Sequence, residues 1–166
     1  MNGKLIFNDN DFTVILNVNK DLFDFEKVRE FAQKENLFEK FEMHLTIVGR
    51  KIGEEIQLNF SNFWGEIKNI IKNMDWDFLI EKSFYFITKK YEEYGGEIRK
   101  SIIQIVKFPC LKEFYKKLNG LLSINFEVPF SHVTLFSTST NLEKKFRGIG
   151  IYSSEQFKNL KPELIK

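Results

Sequence analysis

The chain holds one cysteine, three prolines and two histidines among its 166 residues. One thiol excludes an intrachain disulfide and fits a reducing, cytoplasmic setting. Cys110 follows Pro109 at the start of an apolar helical stretch and has no activating neighbour, so a cysteine nucleophile is not expected. Two histidines and one cysteine fall short of the three or four ligands of a zinc site, and no ligand-spaced cluster appears; neither a metal nor any other cofactor is expected. The nine glycines build no phosphate-cradling loop: Gly95-Gly96 and Gly148-x-Gly150 lack the surrounding pattern and read as turns. No run approaches the roughly 18 apolar residues of a membrane span. Met1–Phe7, followed by Asp9 and Asp11, is too short an apolar stretch for a signal peptide. Charge of one sign is scarce as well: 25 basic against 23 acidic residues leave +2. A long duplex ligand calls for a denser basic surface, whereas a nucleotide or short oligonucleotide does not.

Hydrophobic residues at 43% and charged residues at 29% describe one folded domain over 1–166. Nineteen phenylalanines beside a single alanine, Ala32, reflect an AT-rich coding bias rather than chemistry. Lys4–Phe7 and Phe12–Val18 flank a turn-rich Asn8-Asp9-Asn10-Asp11 and predict an antiparallel hairpin. Asp21 is the expected cap of a helix running to Asn36, with Leu22, Phe25, Val28, Phe31 and Ala32 at helical spacing. Glu39–Val48 predicts a strand with Phe41, Met43, Leu45 and Ile47 on its apolar face. Helices are expected over Glu54–Leu58 and Ser61–Asn73, with Trp64 in packing. Strands follow over Phe78–Tyr91 and Arg99–Phe108, joined by a hairpin or short lid loop at Glu92–Gly96, and a helix over Leu111–Leu122. Asn125–Ser137 predicts a further strand, and Ser153-x-x-Gln156 is the capping box of a last helix through Leu160. The sum is an α+β domain.

Both histidines sit in the same four-residue pattern. His44-Leu45-Thr46-Ile47 and His132-Val133-Thr134-Leu135 each read His, apolar, Thr, apolar. With six threonines in the chain, a Thr two after each histidine by chance has odds of roughly one in a thousand on composition. In a strand, residues two apart share a face, so each stretch turns an imidazole and a hydroxyl one way and its apolar residues into the core. Each half of the chain contributes one such strand, which suits a two-lobed architecture around a shared cleft. Two imidazoles across a cleft suit in-line displacement at phosphorus: one takes the proton of the attacking oxygen, the other protonates the leaving oxygen. The two hydroxyls are placed to donate to non-bridging phosphoryl oxygens.

These paired tetrads resemble the two-histidine (2H) phosphoesterase superfamily, which includes RNA 2′,3′-cyclic phosphodiesterases, LigT-like proteins and phage enzymes that cleave cyclic-nucleotide immune signals. The resemblance implies a bilobal α+β fold, two antiparallel sheets flanking a central cleft with helices outside. It implies His44 and His132 as the catalytic pair, Thr46 and Thr134 as phosphate binders, and a metal-independent phosphodiesterase. The substrate stays open: a 2′,3′-cyclic phosphate, a cyclic oligonucleotide or a short RNA end. A non-catalytic nucleotide- or RNA-binding module of the same fold is the alternative. A monomer is expected, with neither membrane nor long duplex as partner.

Further candidates surround the tetrads. Phe130 and Phe136 lie at even spacing from His132 and are candidates for stacking a base or sugar, or for ordinary core packing. Arg99, at the start of a central strand, is a candidate phosphate contact or a solvated charge. Glu42 shares the His44 face and is expected to raise its pKa, whereas the apolar setting of His132 is expected to lower that of its imidazole. This ordering makes His44 the acid and His132 the base.

Overall fold

Asp11 closes the first turn: its carboxylate accepts from the Thr13 amide at 3.2 Å and the Thr13 hydroxyl at 2.6 Å. The strands on either side, β1 (Gly3–Asn8) and β2 (Thr13–Val18), pair antiparallel as the turn chemistry predicts. The computed structural model describes residues 3–165. Its strands form two antiparallel sheets. The smaller has the order β1-β2-β4, with β4 spanning Met43–Val48. The larger has the order β3-β7-β6-β5-β8, with β3 at Phe38–Glu39, β5 at Leu79–Tyr91, β6 at Glu97–Lys107, β7 at His132–Ser139 and β8 at Glu163–Ile165.

Among the described residues, five α-helices cover the sheets: α1 (Glu26–Lys34), α2 (Arg50–Asn59), α3 (Trp64–Lys72), α4 (Pro109–Leu122) and α5 (Ser154–Asn159). Pro109 occupies the first turn of α4, where its missing N–H costs nothing. Leu111, Phe114, Tyr115, Leu118 and Leu122 form the buried stripe of that helix. The Tyr115 hydroxyl donates to the Ile47 carbonyl at 3.0 Å, tying α4 to β4, and burial raises its pKa. Trp64 packs as expected, stacked on Phe12 at 4.5 Å, with its indole N–H donating to Asp9 at 2.6 Å. Gly53 of α2 faces the Asp11 and Phe12 carbonyl oxygens so closely that no side chain fits between helix and hairpin. Ser153 caps α5 by accepting from the Gln156 amide, and Gln156 reaches back to the Tyr152 amide. One hydrophobic core runs through both sheets, from Leu16 and Leu45 to Ile102 and Leu135. No helix among the described residues is long and apolar enough to cross a membrane.

Four expectations are corrected. Asn19, not Asp21, is a cap, and it caps a single 3₁₀ turn at Lys20–Leu22. Burial of Phe23 and Phe25, two residues apart, keeps the following backbone from continuing that turn, and α1 starts at Glu26. The helix expected from Glu54 already begins at Arg50, directly after β4. The strand expected over Glu39–Val48 breaks in two, because β3 pairs with β7 of the larger sheet while β4 pairs with β2 of the smaller. Lys40–Glu42 is the crossing between sheets, and Phe41 there is exposed rather than in the core. The last strand starts only at His132, since Ile124–Ser131 is irregular.

Candidate active site

Alternation along β4 and β7 decides what faces where. Met43, Leu45 and Ile47 are buried on β4, as are Val133 and Leu135 on β7, which leaves His44, Thr46, His132 and Thr134 on the opposite faces. The crossing at Lys40–Glu42 brings the two strands together: the Lys40 amide donates to the Leu135 carbonyl at 2.8 Å just before the chain enters β4. All four tetrad side chains line one cleft of about 640 Å³. Thr13 and Ile15 of β2, the first turn of α2, the Asn125–Phe130 segment and the Gly148–Tyr152 segment complete its walls.

Hydrogen bonding fixes one imidazole. His132 Nδ1 lies 2.9 Å from the Phe130 carbonyl oxygen, which only accepts, so Nδ1 carries the proton and the lone pair of the neutral ring is on Nε2. Burial pushes the pKa of His132 down, while the Phe130 and Ile149 carbonyls act in the opposite sense. The pKa of His44 is also lowered, first by burial, then by the positive charge of Lys40 and by His132. The expected rise from Glu42 exists but comes last among these influences and is overridden, so the predicted elevation of His44 is corrected to a depression.

The threonines each meet a glycine. A Cβ on Gly148 would stand 3.0 Å from the Thr134 hydroxyl oxygen, so the backbone after Arg147 passes directly over that side chain. A Cβ on Gly49 would lie 3.4 Å from the Thr46 methyl. Gly49 also opens α2, which has no side-chain cap and no acid in its first turn, but instead Arg50 and Lys51. The start of α2, with two cations, therefore lines the cleft where helix sequences ordinarily place a cap and acidic residues.

Comparison with protein-family models, with curated proteins and with solved structures finds no match.

Of the outlying candidates, Phe130 reaches the cleft. Its ring stacks on Phe157 at 4.4 Å and lies near-parallel to His132 at 6.0 Å. Phe136 does not. A bulge in β7 skips the register between Thr134 and Phe136 opposite Ile102 and Ile103. The even spacing from His132 is thereby lost, and Phe136 is buried in the core, edge-on to Phe25 at 5.7 Å. Arg99 is neither a cleft residue nor solvated. It is buried, pairs with Glu97 at 2.7 Å, and lies with its guanidinium 4.5 Å from the Tyr91 ring and 5.7 Å from the Tyr94 ring. Arg99, Ser139 and Lys144 together hold the Glu97 carboxyl down to about 2.

Lys40 is a cleft residue that the sequence does not announce, as are Arg50 and Lys51. The Lys40 ammonium donates to the Phe146 carbonyl, and partial burial lowers its pKa. Nothing in the periodicity around it gives it away, because it stands at the break between two strands. Among the described residues, no three His, Cys, Asp or Glu side chains stand close enough to share a metal ion.

Proposed function

We propose that this cleft is the active site of a 2H-type phosphodiesterase acting on a nucleotide phosphodiester by general acid–base catalysis. One observation carries the reading: the two His-x-Thr strands, distant in sequence and in different sheets, turn both imidazoles and both hydroxyls into one cleft. The two sheets then correspond to the two lobes of the bilobal 2H fold. His132, neutral with its proton held on Nδ1, takes the proton of the attacking hydroxyl or water at Nε2. The new P–O bond forms as the opposite P–O bond breaks, and the protonated form of His44 gives its proton to the leaving oxygen; this order rests on the Nδ1 bond of His132, since both imidazoles are shifted down. Thr46 and Thr134 donate to the non-bridging oxygens, where negative charge grows. Lys40 and the start of α2, which also line the cleft, add positive potential.

A panel of 2′,3′-cyclic, 3′,5′-linked and cyclic dinucleotide substrates, assayed in EDTA with products identified by mass spectrometry, tests this. Turnover in chelator, lost in His44→Ala and in His132→Ala, is the expected result. Activity that disappears with chelator and returns with zinc, or full turnover in both variants, overturns it. Nucleotide binding without any turnover transfers the cleft to the binding-module alternative.

A further inference from the structure

Three phenylalanines stand together beside the cleft and do no packing work that explains them. Phe41, in the crossing between sheets, is 78% exposed, and Phe38 is 39% exposed. Phe146 lies between them, its ring centroid 5.0 Å from Phe41 and 6.0 Å from Phe38. Cations edge this ridge. Lys145 Nζ is 4.6 Å from the Phe38 centroid and 5.1 Å from that of Phe146, and Arg147 is exposed next along the chain. Two acids are nearby in sequence. Glu39 is neutralised by Lys20 and Arg29, while Glu42 follows Phe41. The ridge joins the cleft directly: Lys40 and Gly148, both cleft residues, flank it, and Lys40 bonds the carbonyl of Phe146 itself.

Resting on the reading of the cleft as a nucleotide phosphodiester site, we infer that Phe38, Phe41 and Phe146 form a base-stacking ridge. It holds the nucleotides next to the scissile phosphate of a single-stranded oligonucleotide. Phe41 offers an open aromatic face for a base, while Lys145, seated over the Phe38 and Phe146 rings, and Arg147 offer charge to phosphates running alongside. A second protein surface suits them less. Three rings of at most about 250 Å² each, two of them partly covered already, fall short of the roughly 800 Å² per partner of a stable interface. The ridge therefore selects a short chain over a mononucleotide.

Fluorescence anisotropy with 5′-fluorescein-labelled 2′-O-methyl octauridylate and the matching dinucleotide tests this; neither probe has a 2′-hydroxyl to attack. The octamer is expected to bind about tenfold more tightly than the dinucleotide, with Phe41→Ala removing most of that gain. Phe41→Trp should retain it and show indole quenching on binding. Phe41 is exposed enough for both variants to fold, which circular dichroism checks. Equal affinity for both lengths, or octamer binding untouched by Phe41→Ala, overturns the ridge while any turnover keeps the catalytic reading. Length- and Phe41-dependent binding with no turnover of any substrate keeps the ridge and removes that reading. Self-association by sedimentation, lost in Phe41→Ala and without oligonucleotide binding, overturns the ridge in favour of a second copy of the chain.

Discussion

At the scale of single residues, both catalytic candidates carry lowered pKa values, and that has a kinetic consequence. Acid–base catalysis by a pair requires the singly protonated state, which is most populated between the two macroscopic pKa values. With both imidazoles below their ordinary value of about 6.5, the kcat/KM profile should peak on the acid side of pH 6.5. A maximum at pH 7.5 or above would contradict the burial of the pair. Lys40 is the larger charged influence on His44 and Glu42 the smaller. Lys40→Met should therefore raise the His44 pKa, and Glu42→Gln should lower it slightly, as read from imidazole NMR resonances. Thr46→Val and Thr134→Val keep the branched shape and remove the donor. Each should lower kcat roughly 10- to 10³-fold with little change in KM; a rise in KM alone would assign the hydroxyls to ground-state binding. Residues of this kind were legible in the sequence because a two-residue period states outright which side chains share a face. Lys40 was not, since its place in the cleft depends on a crossing between sheets that no local pattern records.

Elements explain where the period misled. Phe136 is four residues beyond His132, and alternation places both on one face, but the β7 bulge inserts Leu135 as an extra residue and sends Phe136 into the core. Phe41 fails for a related reason: the strand expected around it belongs to two sheets, and Phe41 falls in the gap. Arg99 is a strand residue as expected, yet its partners, Tyr91, Tyr94 and Glu97, gather at the closed end of the β5–β6 hairpin, where the register and the turn bring the two tyrosines onto it. Removing the charge in Arg99→Met should accordingly lower the melting temperature by leaving buried Glu97 short of its main partner, while KM in the proposed reaction stays unchanged in the folded protein. Raised KM with unchanged melting would restore Arg99 to the substrate. The Gly148–Tyr152 segment gives the complementary case. Gly148→Ala drives a methyl toward the Thr134 hydroxyl, so kcat/KM should fall clearly while the melting temperature, set by the core strands, moves little. A wild-type rate in that variant would mean the segment shifts freely away from Thr134.

For the molecule as a whole, the same partly buried imidazoles tie function to acid stability. The sign follows from linkage: a histidine whose folded pKa lies below its unfolded value takes up protons first in the unfolded chain. Above about pH 6.5 both states are neutral at these positions and the histidines contribute no pH dependence. As pH falls below that value the unfolded chain gains protons that His44 and His132 refuse, and stability drops until their folded pKa values are reached. Lowered carboxylates act in a separate window. Glu97, held near 2, and Glu39, lowered by Lys20 and Arg29, contribute stability that is present above the ordinary carboxylate pKa and lost only as pH falls further. The melting temperature should thus decline in two steps, one that sets in as pH falls through about 6.5 and another below about pH 4.5. In a His44→Gln, His132→Gln double variant the first step should flatten and the second persist, whatever the absolute stability of the variant. An unchanged first step would show that both imidazoles titrate normally in the folded protein. The acid-shifted rate profile would then lose its basis too, because one depression of the two pKa values underlies both expectations.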